Sequence, residues 1–306
     1  MGFASRISAP VSLLAGVCLI ASCGGGAAPA APTPAPTPVV QTFVPAGPSG
    51  VLVGAGDIGW CGTPGAEMTA RLLDRFPGTV FTAGDNAYMS GTALEFQNCY
   101  GAAWGRHLSR TRPAMGNHDY VNGGSAYFQY FGVRAGTDFS GYYSYAVGPW
   151  KVIALNSEIP SGAGSAQMEW LVNELAITGA SCTAVYWHRP LVSSGRHGDN
   201  PDMRDVWRTL YQFNVDLVIA GHDHDYERFA PQDPDGRFDP SRGIREFVVG
   251  TGGAPLYEFP TVRPNSEARS AVWGVASFTL TAGAYQWEFV PVEGQTFRDS
   301  GAGSCH

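Results

Sequence analysis

Histidine and aspartate are spread unevenly along this chain. Five of the seven histidines, His118, His188, His197, His222 and His224, fall within or just behind five short segments. These are AGDIG (55–59), GDNAY (84–88), GNHD (116–119), VYWH (185–188) and GHDHDYER (221–228). Histidines that merely fill a core would not cluster in this way. Each segment follows an apolar run or sits in a loop, where side chains from distant parts of a chain can converge. Oxygen and imidazole donors supplied by separate strands suit first-row metals such as zinc, manganese and iron. Singly the signals are unequal, since a lone Gly-Asp is usually a turn and Gly-His-x-His is common by chance. Their order and spacing together carry the weight.

The elements that must hold these segments are legible as alternating patterns. VLVGAGD (51–57), TVFTAGD (79–85), KVIALN (151–156), TAVYWH (183–188) and VDLVIAGH (215–222) are apolar runs that each end on a polar residue. AEMTARLLDRF, SAQMEWLVNELA and DMRDVWRTLYQF lie between them with helical periodicity. Strands alternating with helices predict an α/β protein whose site lies at the carboxyl ends of the strands. The last 60 or so residues differ. REFVVGTGGAPLY and WGVASFTLTAGAYQWEFVPV alternate with period 2, with a Gly-containing turn at 282–284, and read as antiparallel strands.

In order and spacing the five segments resemble the calcineurin-like metallophosphoesterases, whose blocks run D, GD, GNH[DE], H and GHxH. The resemblance covers residues 51 to 230. Most of that superfamily opens with Asp-x-His, the histidine binding the first metal, whereas this chain has Asp57-Ile58-Gly59. The replacement comes from GDNAY, because Gly-Asp-x-x-Tyr is the pattern of the purple acid phosphatase branch, in which a tyrosinate binds ferric iron. A phenolate is a hard anionic oxygen, and a trivalent metal lowers its pKa far below the free value of about 10. In isolation Tyr88 would read as an aromatic packed beside a turn.

The resemblance implies a four-layer α/β/β/α sandwich with two mixed β-sheets and a dimetal site at the strand ends. It implies that Asp57, Asp85, Tyr88 and His224 hold the first metal, Fe(III). Asp85, Asn117, His188 and His222 would hold a second, divalent metal (zinc, manganese or iron), with Asp85 bridging. His118 and His197 become candidates for catalysis, binding phosphoryl oxygens or protonating the leaving alkoxide. Asp119 is placed with them as the residue that orients His118, and Arg228 is read as a structural ion-pair partner. The implied activity is hydrolysis of a small phosphate monoester by a metal-bound hydroxide, with no phosphoenzyme. A phosphodiesterase or nucleotidase on the same metals is the close alternative. A surface-anchored, non-catalytic binding lipoprotein is the distant one.

Composition sets the remaining bounds. The chain has 306 residues, 44% hydrophobic and 15% charged, with a formal net charge of −7 and no long Lys/Arg run. It can bury a core and carries no electrostatic footprint for nucleic acid. Residues 1–22 read as a signal peptide ending in Ile20-Ala21-Ser22-Cys23, which resembles a lipobox with Cys23 lipidated; a conventional signal peptide with Cys23 incidental is the alternative. Residues 23–49, rich in Gly, Ala and Pro, read as a tether, and 50–306 as the catalytic domain. These readings predict an exported protein anchored to a membrane and facing the periplasm or the cell exterior. Cys61, Cys99, Cys182 and Cys305 then allow up to two disulfides in three connectivities, with Cys61–Cys99 preferred and free thiols still open.

Overall fold

The computed structural model describes residues 42–136, 138–177 and 179–306. The predicted signal peptide, Cys23 and most of the tether lie outside the described residues. Strand β1 (Ser49–Ala55) leads through helix α1 (Gly65–Leu73) into β2 (Thr79–Ala83). A short helix α2 (Ala93–Glu95) continues through further helical turns to β3 (Thr111–Ala114), followed by α3 (Ser125–Phe131). Next come β4 (Tyr143–Val147), β5 (Trp150–Ala154), α4 (Ala166–Leu175), β6 (Cys182–Tyr186), α5 (Arg204–Gln212) and β7 (Leu217–Ala220). The chain ends with β8 (Tyr226–Phe229), β9 (Arg245–Val249), β10 (Ser266–Ser270), β11 (Gly274–Thr281), β12 (Ala284–Pro291) and β13 (Asp299–Ser304).

These strands form two mixed sheets, ordered β13-β12-β11-β1-β2-β3 and β10-β8-β9-β7-β6-β5-β4. Strand alternation divides the second sheet's residues between two cores. Val152, Ala154, Ala184, Tyr186, Leu217 and Ile219 join the core shared with the first sheet, where Phe81 meets Tyr186 and Phe247 meets Phe278. Their neighbours Ile153, Val185 and Val218 turn the other way, onto Met168 and Leu171 of α4 and Val206, Trp207 and Leu210 of α5. Buried residues of α1, Ala66, Ala70, Leu72 and Leu73, pack with the first sheet. The order helix, sheet, sheet, helix is the predicted sandwich.

REFVV corrects one expectation. It pairs antiparallel with β8 but parallel with β7, so this stretch extends the α/β sheet. Both pairings bury it, and a buried strand cannot reveal its neighbours' directions from its own pattern. The predicted hairpin at 282–284 is present between β11 and β12, with Gly283 at φ 73°. Two disulfides, Cys61–Cys99 and Cys182–Cys305, use all four cysteines of the described residues, in the preferred connectivity. The sole lysine also has a structural task. Lys151 Nζ is buried and donates to the carbonyls of Glu174 (2.7 Å) and Ile177 (2.9 Å), closing the C-terminal end of α4.

Candidate metal centre

Strands β1, β2 and β3 of one sheet and β6 and β7 of the other all deliver their carboxyl ends to the same edge of the sandwich. Asp57, Asp85, Asn117, His188 and His222 follow those five ends within three residues. Three of them sit in the left-handed region, Asp57 at φ 60°, Asp85 at φ 50° and His222 at φ 72°. Non-glycine residues adopt that conformation at a cost, which the surrounding hydrogen bonds sustain. Asp57 N–H donates to the Gly84 carbonyl and His222 N–H to Asp57 Oδ2 (2.8 Å), so the turns support one another.

The side chains fall into two groups of three. Tyr88 OH donates to Asp57 Oδ1 at 2.7 Å and lies 3.1 Å from His224 Nε2, while His224 Nε2 is 3.3 Å from Asp57 Oδ1. On the other side His188 Nε2 lies 3.1 Å from both Asn117 Oδ1 and His222 Nδ1. Asp85 stands between the groups, with Oδ2 3.3 Å from His188 Nε2. Ligand atoms of Asp85, His188 and His222 all lie within 4.8 Å of one another. The imidazoles are oriented from behind: His188 Nδ1 donates to the Ala83 carbonyl (2.8 Å) and His224 Nδ1 to the Pro255 carbonyl (2.7 Å), turning each Nε2 toward the cluster.

Electrostatics favour a cation here. Burial works to raise the Asp85 carboxyl, but the charge and hydrogen bond of His188 outweigh it and hold Asp85 below the usual range. Burial works equally against the His188 imidazolium, yet Asp85 pushes that group up to about 10. The phenol of Tyr88, 3% exposed, is raised first by burial and then by the Asp57 charge. A cation held by Asp57, Asp85, Tyr88 and His224 would reverse the sign of that field and favour the phenolate as a ligand. Hard oxygens gather on the Asp57–Tyr88 side and imidazoles on the His188–His222 side, so the donor set fits two unlike metals.

Gly59 stands where most of the superfamily carries histidine, and its backbone leaves no room for one. A Cβ there would collide with the Asn86 carbonyl oxygen and lie 3.0 Å from the Tyr100 nitrogen. Instead the Gly59 carbonyl accepts a hydrogen bond from Tyr88 N–H, tying the two segments side by side.

His118 and His197 flank the cluster. The His118 ring packs on Tyr88 with centroids 4.5 Å apart, and its Nδ1 donates to the Met89 carbonyl at 2.6 Å. The His197 ring stacks on His222 at 4.2 Å, and Asp223 Oδ1 accepts from both its backbone N–H (2.7 Å) and its ring Nδ1 (3.1 Å). Asp119 requires a correction. It does not orient His118; its buried carboxylate accepts from the backbone N–H groups of Asn86, Ala87 and Gly116 and from the Asn86 side chain. It clamps the two ligand loops together. Arg228 pairs with Asp299 and Glu267, away from the cluster.

Three neighbours carry no sequence signal of their own. Asp223 sits between the two histidines of GHDH, where a loop polar residue is unremarked. Tyr257 stacks on His224 with centroids 4.2 Å apart. Arg189 brings Nη1 to 3.2 Å from His222 Nε2 while its Nε donates to Glu158.

A family model described as calcineurin-like phosphoesterase matches residues 50–226, over half of the chain. The chain belongs to the calcineurin-like phosphoesterases. Its relatives point to the purple acid phosphatase branch of that family. Purple acid phosphatase 21 of Arabidopsis thaliana is 28% identical over 202 residues, covering 58% of this chain and 44% of the relative. An uncharacterized protein of Mycobacterium tuberculosis is 31% identical over 183 residues, covering 46% of this chain and 35% of the relative. The matched stretches thus span less than half of those relatives' own length. Among solved structures, purple acid phosphatase PPD1 from yellow lupin (Lupinus luteus) seeds superposes with a TM-score of 0.74 at 22% identity, over 84% of this chain and 54% of that one. At that identity the likeness speaks for the fold alone.

Proposed function

We propose that this calcineurin-like phosphoesterase is an exported, metal-dependent phosphomonoesterase of the acid phosphatase type. The observation that carries the reading is the division of seven side chains into two triads joined by Asp85. In this reading Asp57, Asp85, Tyr88 and His224 would hold Fe(III), and Asp85, Asn117, His188 and His222 would hold zinc, manganese or iron. The two metals would supply a nucleophile from water and neutralise phosphoryl charge during displacement. His118 and His197 would receive the phosphoryl group from opposite sides. Each has its Nδ1 committed to an acceptor, which leaves Nε2 to bond a phosphoryl oxygen or to give a proton to the departing alkoxide. Asp223 acts as a positioning residue by fixing the His197 ring.

The two disulfides support export, since such bonds persist in oxidising compartments. Cleavage before Cys23 and lipidation there would leave the domain tethered to a membrane, facing the periplasm or the cell exterior. Mass spectrometry of the mature N-terminal peptide decides between a lipid and a plain cleavage.

The site is tested by metal content and the visible spectrum of the purified protein beside Tyr88→Phe. Iron near one equivalent and a broad tyrosinate-to-iron band that vanishes in the variant are expected. Two zinc or manganese ions with no such band would refute the ferric assignment. Initial rates on 4-nitrophenyl phosphate and bis(4-nitrophenyl) phosphate test the ester class, and faster cleavage of the diester would overturn the monoesterase reading.

A further inference from the structure

Beside the His222 side of the metal centre lies an open cavity of about 670 Å³. It is formed by the loop that leaves the carboxyl end of β5 and by the segment entering α5. Because β5 runs parallel to β6, that loop emerges at the same edge as His188. Arg189 joins cavity and site: it lines the cavity, is about one-third exposed, and keeps Nη1 against His222 while Glu158 accepts from Nε at 3.0 Å.

The lining is polar and mixed in sign. Among the described residues, the Asp202 carboxylate and the Asn200 side-chain NH2 group have no hydrogen-bond partner, and the Arg204 guanidinium has only a distant carboxylate, Asp235 at 3.9 Å. Asp205 is already engaged by Arg208, and Glu158 by Arg189. The free groups therefore include an acceptor-only carboxylate beside donor-only amide and guanidinium N–H groups. A hydroxyl both donates and accepts, so a run of vicinal hydroxyls matches that set. A second phosphate does not, because three carboxylates face two guanidiniums around the cavity. Nor does a nucleobase, for no aromatic side chain lines the cavity to stack on it.

We infer that this cavity is the leaving-group subsite and that it selects phosphate monoesters of neutral, polyhydroxylated compounds, sugars or polyols. The assignment rests on the monoesterase reading for its role, though not for its binding. A substrate hydroxyl would bridge Asp202 and Arg204 while Arg189 guides the ester oxygen toward the metals.

The test compares wild type with the double variant Asp202→Ala/Arg204→Ala, both positions being exposed, on glucose 6-phosphate and 4-nitrophenyl phosphate. Two exposed hydrogen-bonding groups at about 1 kcal/mol each predict a fall of about tenfold or more in the ratio of the two kcat/KM values. An unchanged ratio would overturn the assignment, as would a preference of wild type for a sugar bisphosphate over the monophosphate. Saturation-transfer NMR from the full chain to glucose supplies a second measurement. Transfer in wild type that disappears in the variant is expected with or without bound metal, and equal transfer in both refutes the subsite. Failure of the monoesterase reading would show separately, as no hydrolysis of either ester or as faster cleavage of bis(4-nitrophenyl) phosphate.

Discussion

Replacing His197 by asparagine is expected to slow hydrolysis of an alkyl phosphate far more than that of an aryl one. The ring is held by a buried carboxylate, Asp223 Oδ1 lying 3.1 Å from Nδ1, and it rests flat on His222 at 4.2 Å. With Nδ1 committed, Nε2 is the nitrogen left to carry a proton to the leaving oxygen. His118 differs, because its Nδ1 bonds a neutral carbonyl rather than a carboxylate. A charge-assisted bond to a carboxylate fixes the His197 ring more firmly than a carbonyl fixes that of His118, so His197 is the stronger candidate acid. General acid catalysis contributes about 10² to 10⁴-fold, or about 3 to 5 kcal/mol of barrier at 1.36 kcal/mol per decade. Glycerol 2-phosphate must expel an alkoxide and should lose that full factor in His197→Asn. Its counterpart 4-nitrophenyl phosphate expels a stabilised anion and should lose roughly tenfold or less, from lost phosphoryl contacts alone. Asp223→Asn should fall between wild type and His197→Asn on the alkyl ester, at about tenfold, because the orienting bond becomes neutral. His118→Asn should lower both substrates alike. The assay is kcat/KM for each ester across the four proteins. Equal losses on both esters in His197→Asn would refute the acid role and reduce His197 to a phosphate-binding group.

Gly59→Ala should cost about 1–3 kcal/mol in urea unfolding, since its Cβ meets the Asn86 carbonyl. For the same reason Gly59→His should not restore the iron content of Tyr88→Phe; a metal assay showing rescue would contradict the steric argument. Lys151→Met should lower stability by about 2–4 kcal/mol through two lost charge-assisted bonds at the end of α4, with kcat/KM unchanged. Loops of 38 and 123 residues predict that losing Cys61–Cys99 costs about 4 kcal/mol and losing Cys182–Cys305 about 5 kcal/mol. Denaturant titration of the paired Cys→Ser variants reads that order directly, and the reverse order would refute the loop-entropy account.

How much of this was legible in the linear chain follows from how local each signal is. An apolar run ending on Asp57, Asp85, His188 or His222 announces both a strand and the place where it stops. Parallel strands of one sheet must stop at one edge, so the α/β pattern gathers Asp57 with Asp85 and His188 with His222, while the packing of the two sheets brings the pairs together. Tyr88 was legible through its spacing from Asp85 and the histidine missing at position 59, but that no side chain fits at Gly59 was not: the Asn86 carbonyl blocking it is a contact between segments. Asp119 misled for the complementary reason, since adjacency to His118 suggested a partnership while the fold turned its carboxylate toward Asn86, Ala87 and Gly116.

The sequence by itself determined the alternation of strands and helices, the strand-end residues and the family resemblance that implied the sandwich, because hydrophobic period and ligand spacing are properties of consecutive residues. Tertiary structure alone decided that Asp223 holds His197, that Tyr257 covers His224, that Arg189 faces His222, and that REFVV runs parallel to β7. Each of those relations joins positions on different loops or strands. Their geometry depends on packing and backbone direction, which no local pattern encodes.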